Sequence, residues 1–431
     1  MKKLLALLLA GVMLLSVIGC ATAETDSGKT KIRVMLWGSL EGKNAEWDNI
    51  LALNPEMAEK YEIELVGGAN EKENLEAVRL ALAGNESICD LLAVNYQSVP
   101  ELARAGVLRD LSDVIAPYES KLTAAAKALS QYEGQTIAVP SQMKCKIWFY
   151  RKDIFDECGI DATKVKTTDD FIAAGKKIQE KYPNAYLMNL GRTATSSMIY
   201  YVLSGNGASY FDENGNYNLS TNEGVIKCLE DYKKLVESGI SLEVDDWTPD
   251  WQNAFATDQL ISCLSATWMA TPFLPTYAGE DDSGKWAATI WPEIGGASGG
   301  SDYGGSVYVV PSFSSCPDDA AKFIAWYHLD EVAETAFLDY YDSMAYVANA
   351  DLLNSDQVKS RINPYFGESF TQAQIDAADI FNVFNFSPNA ATESSIVVEY
   401  FNKAIFGEMS IEDALKAAEE DLKSQIGNAF D

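Results

Sequence analysis

The stretch Thr136–Asp161, TIAVPSQMKCKIWFYRKDIFDECGID, limits the possible folds more than any other part of the chain. An apolar burst, Ile137-Ala138-Val139, stops at Pro140, and a second, Ile147-Trp148-Phe149-Tyr150, follows it. Consecutive apolar residues bounded by polar ones read as a buried strand, here the first of a new unit. That strand runs into Arg151-Lys152-Asp153-Ile154-Phe155, a short helix that Gly159 stops in the left-handed conformation. A unit boundary therefore falls near Pro140.

Strand and helix alternate on both sides of that boundary. Lys31–Trp37, Ile63–Val66 and Asp90–Val94 read as strands, and Glu71–Ala83 as an amphipathic helix closed by Gly84. Two successive crossovers argue for a parallel sheet. Ligands of open α/β sheets sit beyond the carboxyl ends of the strands. Trp37 and Glu41 after the first strand, and Asn95 and Tyr96 after the third, fall within reach of such a site. Past Pro140, Thr168 is expected to cap one helix, and Thr221 another whose Ile226, Leu229, Tyr232 and Leu235 face the core. Asn189 lies at a polar strand exit, and Ser196–Leu203 reads as helical. Trp247 and Trp251 flank Pro249 among polar neighbours, which argues against burial of both. Leu260–Leu264 is a strand with Trp268 just beyond it. Trp286–Pro292 is extended and leads into Gly295, Gly296, Gly299 and Gly300. These glycines permit close backbone approach, but they lack the context of a dinucleotide fingerprint and the Lys-Ser/Thr of a phosphate loop. Asp212–Asn216 is a turn without the terminal Glu of a calcium loop.

A formal charge of −30 makes nucleic acid and anionic membrane surfaces poor partners. At the start, Lys2 and Lys3 precede an apolar run from Leu4 to Ile18, then Gly19 and Cys20. The run is short for a transmembrane helix and resembles a bacterial lipoprotein signal, which implies cleavage before Cys20 and acylation of its thiol. Residues 21–30 read as a flexible tether. Cys89, Cys145, Cys158, Cys228, Cys263 and Cys316 match no zinc spacing, and their pairing is open among fifteen complete arrangements. His328, the single histidine, has no metal partner at a suitable spacing and reads as a packed residue.

Tyr150, Arg151-Lys152-Asp153-Ile154-Phe155 and Gly159-Ile160, together with Ala105-Gly106-Val107-Leu108-Arg109-Asp110-Leu111 and Gly304-Gly305-Ser306-Val307, resemble the extracellular solute-binding proteins of bacterial ABC sugar importers. The likeness runs over about residues 31–426. Departures are Ile88-Cys89 before Asp90, where the family has Pro, and Tyr340–Ala348, which lacks a usual Gly and Pro. The resemblance implies an α/β, two-lobed periplasmic-binding-protein-like fold with hinged lobes and a central ligand cleft. It implies a signal over 1–19, a tether over 20–30, lobe one over 31–140, lobe two over 141–284, a return to lobe one over 285–337 and a helical completion of lobe two over 338–431. The implied role is non-catalytic: capture of a carbohydrate, an oligosaccharide, and delivery to the transmembrane permease of an ABC transporter, by a monomer without cofactor or metal, held outside the cell membrane by its N-terminal lipid. Trp37, Glu41, Asn95, Tyr96, Asn189, Trp251, Trp268, Asp302, Tyr303 and Tyr346 are the implied ligand contacts. A surface lipoprotein that binds glycans or peptides without transport, and a glycoside hydrolase, are the rival readings.

Replacing Cys20 by Ala should release or misprocess the exported protein, and intact-mass analysis should show the parent's mature form beginning at an acylated Cys20. A parent form that is unlipidated and starts beyond Cys20 would exclude the anchor.

Overall fold

Strand β1, Thr30–Met35, buries Ile32 and Val34 and lies between two parallel neighbours. The computed structural model describes residues 28–38, 40–41, 43–141, 144–192, 202–271, 273–296, 305–340 and 347–431. After β1 come α1 (Lys43–Leu51), α2 (Pro55–Lys60), β2 (Tyr61–Val66), α3 (Glu71–Gly84), β3 (Leu91–Asn95) and β4 (Val139–Pro140). The chain then enters β5 (Lys146–Arg151), α4 (Lys152–Glu157), α5 (Thr168–Lys181), β6 (Met188–Asn189), α6 (Glu223–Ser238), β7 (Ser241–Leu242), α7 (Pro249–Ala256), β8 (Ser262–Ala266) and β9 (Trp286–Ile290). Strand β10 (Ser306–Val309), α8 (Pro317–Leu329) and α9 (Glu331–Tyr340) follow, and α10 (Glu368–Asp379), α11 (Ala390–Ile405) and α12 (Ile411–Gln425) end the chain.

Two sheets result. Lobe one is built on the order β2-β1-β3-β10-β4, with β10 antiparallel to both neighbours and the others parallel to one another. Lobe two is built on β8-β5-β9, in which β5 runs antiparallel to both flanking strands. The parallel pair β6-β7 extends it through the parallel bridge between Tyr186 and Leu260. This is the two-lobed α/β architecture that the resemblance implies.

Ion pairs fasten both sheets. Arg33 of β1 donates from Nε to Asp90 Oδ2 at 3.0 Å, and Ser315 N donates to Asp90 Oδ1 at 2.8 Å. Burial pushes the Asp90 carboxyl up, but these bonds outweigh it and hold the group at about 2. At the far end of β5 the buried Arg151 meets Asp153, Asp258 and Asp282, three carboxylates from separate stretches. A buried guanidinium needs such partners to offset its lost hydration.

Several helix ends differ from expectation. Thr167, not Thr168, caps α5, through a reciprocal capping box with Asp170. Thr168 is instead the first helical residue, buried, with its hydroxyl donating to Asp231 Oδ2 at 2.8 Å. Asn222 rather than Thr221 caps α6, accepting from the amides of Gly224 and Val225. Gly84 stays inside α3, and Asn85 takes the left-handed cap at φ 53°. The expected helix over Ser196–Leu203 lies mostly outside the described residues.

The lobe boundaries also shift. The return to lobe one does not begin at residue 285, because β9 pairs with β5 along its length and so completes lobe two. Strand β10 is the returning element. Nor does lobe two resume at residue 338. Residues 347–349 are still tied to lobe one, where Thr123 N donates to Ala348 O at 2.8 Å and Leu122 bridges Asn349.

Glu334 of α9 secures that late segment. Its Oε1 accepts from the amides of Ala348 and Asn349, while its Oε2 is buried without a hydrogen-bond partner among the described residues. Burial pushes this carboxyl up to about 8 from an ordinary value of 4.5. The folded state therefore holds the proton more tightly than the unfolded chain does. The resulting stabilisation is full below about 4.5 and is lost as pH rises through about 8. Urea unfolding of Glu334→Gln should show less decline than the parent between about pH 5 and pH 8, by about 3 kcal/mol at ~1.4 kcal/mol per pH unit. Parallel pH profiles for the two proteins would remove Glu334 as a source of the decline.

Candidate functional site

The strand directions bring the useful ends together. Strands β1, β2, β3 and β4 end on the edge of lobe one where β10 begins. Strands β6, β7, β8 and β9 end on the edge of lobe two where β5 begins. The connection from β4 to β5 joins these two edges, as does the connection from β9 to β10. The carboxyl ends of both sheets thus meet at the crossings, which is where an open α/β sheet binds ligands.

Lobe two carries an aromatic platform there. Trp268 lies in the turn directly after β8, and Trp247 in the loop between β7 and α7. Their rings stack at 5.5 Å with an interplanar angle of 27°. Phe273 packs edge-on to both, 5.2 Å from Trp247 and 5.7 Å from Trp268. Trp247 remains 53 % exposed and has φ +66°, a conformation costly for a bulky side chain. Its neighbours explain how the strain persists, since Trp251 supports it from below at 5.4 Å. Asp245 also crowds Gly191 so closely that a Cβ there would lie 2.0 Å from Asp245 Oδ1. Burial raises the carboxyl pKa of Asp246, against a 2.7 Å bond from Asn189 Nδ2.

Lobe one contributes a cavity of about 160 Å³. Trp37 after β1, Lys43 and Glu46 of α1, Tyr308 of β10 and His328 of α8 line it, with Ser141 and Lys144 of the first crossing also on its wall. Lys43 Nζ donates to Trp37 O at 3.1 Å, and burial lowers its pKa. Glu46 is buried and accepts from the Tyr327 hydroxyl at 3.2 Å. At the start of β5, the fully buried Lys146 lies 5.2 Å from the centroid of Trp291, and burial brings it down to about 7.

The expected contacts divide. Trp268 is half-buried on the platform, Trp37 half-buried on the lobe-one cavity, and Glu41 exposed beside it in the chain. Trp251 is a correction: it is 3 % exposed, and its Nε1 donates to Asn189 Oδ1 at 3.1 Å, so it is the support and not the exposed face. Asn189 is likewise occupied, donating to Asp246 and Val244 O, and so braces the platform rather than offering a free amide. Tyr96 is buried with its hydroxyl donating to Gln131 O at 2.7 Å, and the Asn95 amide donates to Glu71. Both sit at the strand exit as expected, yet their polar groups serve lobe one itself. Asp302, Tyr303, Tyr346 and Cys20 lie outside the described residues. Trp247, not among the expected contacts, is the exposed member of the pair, and its spacing from Trp251 around Pro249 is the sequence signal that one of the two stays exposed. Among the described residues no cluster of His, Cys, Asp or Glu could hold a metal ion, and the six cysteines after residue 27 are free thiols.

A profile of the family described as bacterial extracellular solute-binding protein matches residues 55–363. An arabinooligosaccharide-binding protein of Halalkalibacterium halodurans is 26% identical over 373 residues, covering 80% of this chain and 79% of that protein. The arabinooligosaccharide-binding protein of Bacillus subtilis is 23% identical over 452 residues, covering 100% of this chain and 98% of that protein. Among solved structures, the galacto-N-biose-/lacto-N-biose I-binding protein of Bifidobacterium longum, in complex with lacto-N-biose, superposes with a TM-score of 0.75 at 21% identity, covering 94% of this chain and 100% of that one.

The two adjoining tryptophans should behave oppositely in urea. Trp251→Ala should cost about 3–5 kcal/mol, because it opens a cavity and strands Asn189. Trp247→Ala should stay within about 1 kcal/mol of the parent, since half its surface is already in water. Equal losses for the two variants would contradict this division into support and face.

Proposed function

This chain belongs to the bacterial extracellular solute-binding proteins, and from that footing we propose that it captures an oligosaccharide between its lobes and delivers it to the permease of an ABC transporter. The observation that carries the reading is the stacked pair of exposed Trp247 and half-buried Trp268 at the carboxyl edge of the lobe-two sheet. Sugar rings present apolar faces that stack on aromatic planes, and their hydroxyls require polar partners once water is excluded. The lobe-one cavity beside the first crossing supplies such partners in Lys43 and Glu46. The names of the two curated relatives point to oligosaccharides as the ligand class. Backbone connections at the crossings suit hinged closure, which buries the solute and changes the surface offered to a transporter. Acylated Cys20 would keep the protein at the outer face of the cell membrane, within reach of that transporter.

Calorimetric titration with arabinobiose, arabinotriose, lactose and β-1,6-galactobiose tests the reading. At least one should bind without turnover. Trp247→Ala and Trp268→Ala should each weaken it by about 2 kcal/mol, a hot-spot loss of about thirty-fold in Kd. Parent-like affinity in both variants would remove the platform from the site. Binding of peptides in place of all four sugars would overturn the ligand class while leaving the fold as it is.

A further inference from the structure

The lobe-one cavity has features that a plain packing defect lacks. His328 lines it and is 8 % exposed, yet its Nε2 is buried with no hydrogen-bond partner among the described residues. Buried ring nitrogens are nearly always satisfied, so an orphan beside a cavity marks a missing partner. The ring cannot turn freely to find one. Tyr308 stacks on it at 5.0 Å and 22°, while Tyr327 and Trp47 meet it edge-on at 4.9 and 6.5 Å. Burial drives its pKa down to about 3, so the imidazole is neutral wherever the protein functions.

Two charges of opposite sign stand on the same wall. Glu46 is a buried acceptor braced by Tyr327, and Lys43 is a half-buried donor braced by Trp37 O. An anionic ligand group would meet Glu46, and a cationic one would meet Lys43. Adjacent hydroxyls satisfy both, because each hydroxyl donates and accepts. A hydroxyl also fits His328 Nε2 in either tautomer. The volume of about 160 Å³ corresponds to roughly five waters at ~30 Å³ each, and lies below the ~300 Å³ at which sites for drug-sized ligands begin. That size suits a single ring rather than a chain of rings.

We propose that this cavity is an end pocket that takes the terminal ring of a neutral oligosaccharide, with Glu46, Lys43 and His328 Nε2 reading its hydroxyls, while the following rings extend toward the lobe-two platform. The proposal rests on the carbohydrate reading above and narrows it to glycans whose terminal ring is uncharged.

His328 is the only histidine in the chain, so the intact protein labelled with imidazole nitrogen-15 gives one imidazole spin system. The probes are arabinobiose, arabinotriose, lactose, β-1,6-galactobiose and, as the acidic counterpart, digalacturonate. At saturation the tightest neutral probe should move the Nε2 resonance, and digalacturonate should not. Glu46→Gln and His328→Phe should each raise the Kd of that neutral probe at least tenfold. The resonance test uses the unmutated protein, so it decides the matter even where a variant does not fold. A neutral probe that saturates the protein and leaves Nε2 unmoved overturns the end pocket alone. Digalacturonate binding more tightly than every neutral probe overturns the neutral class. Failure of the parent to bind any of the five overturns the pocket together with the carbohydrate reading.

Discussion

The two-sided pairing of β5 is the interaction on which the rest of the molecule depends. All six residues of this strand are buried, from Lys146 to Arg151. It carries the chain out of lobe one and forms ladders with β8 on one side and β9 on the other. Because both neighbours run opposite to β5, their carboxyl ends must lie where β5 begins, beside the crossing. Trp268 follows β8 and Trp291 follows β9, so the placement of aromatic residues at the junction is a consequence of strand direction. The same logic holds in lobe one, where β10 runs opposite to β3 and β4 and starts at the edge where they end. A strand order with parallel crossings would send these termini to the far side of each lobe.

Charge is distributed along β5 in keeping with that geometry. Arg151, at the end away from the crossing, is enclosed by carboxylates and does structural work. Lys146, at the crossing end, lies against an indole, and burial lowers its pKa to about 7. The strand thus fixes one cation among carboxylates at its outer end and buries the other against an indole at its crossing end. Lobe one shows a similar division. Arg33 and Asp90 clamp β1 to β3, whereas Lys43 and Glu46 line an open cavity.

The alternation of strand and helix was legible because it depends on local periodicity, as was the stop at Gly159, whose φ is +62°. What escaped the sequence was partnership between distant residues. Trp286–Pro292 reads as extended in any setting, and only its pairing with β5 reveals the lobe it joins. Thr167 and Thr168 offer the same hydroxyl, and the choice between them turns on Asp231, some sixty residues away, which claims the second. Asn189 and Trp251 each look like contacts in isolation. They satisfy one another through a bond across 62 positions, and that removes both from the exposed face.

That last pairing also explains why Trp247 can hold its strained backbone. A tryptophan at positive φ is unfavourable by an estimated 1–3 kcal/mol and persists only where the surroundings over-determine it. Trp251 beneath, Trp268 alongside and Phe273 at the edge restrict the ring on three sides. Trp251 is itself fixed by Asn189, and Asn189 by Asp246, the residue immediately before Trp247. The restraint is circular: the loop that presents Trp247 also anchors the amide that anchors its support. An aromatic face held in this way loses little side-chain freedom when a ring stacks on it, so more of the stacking energy remains for affinity.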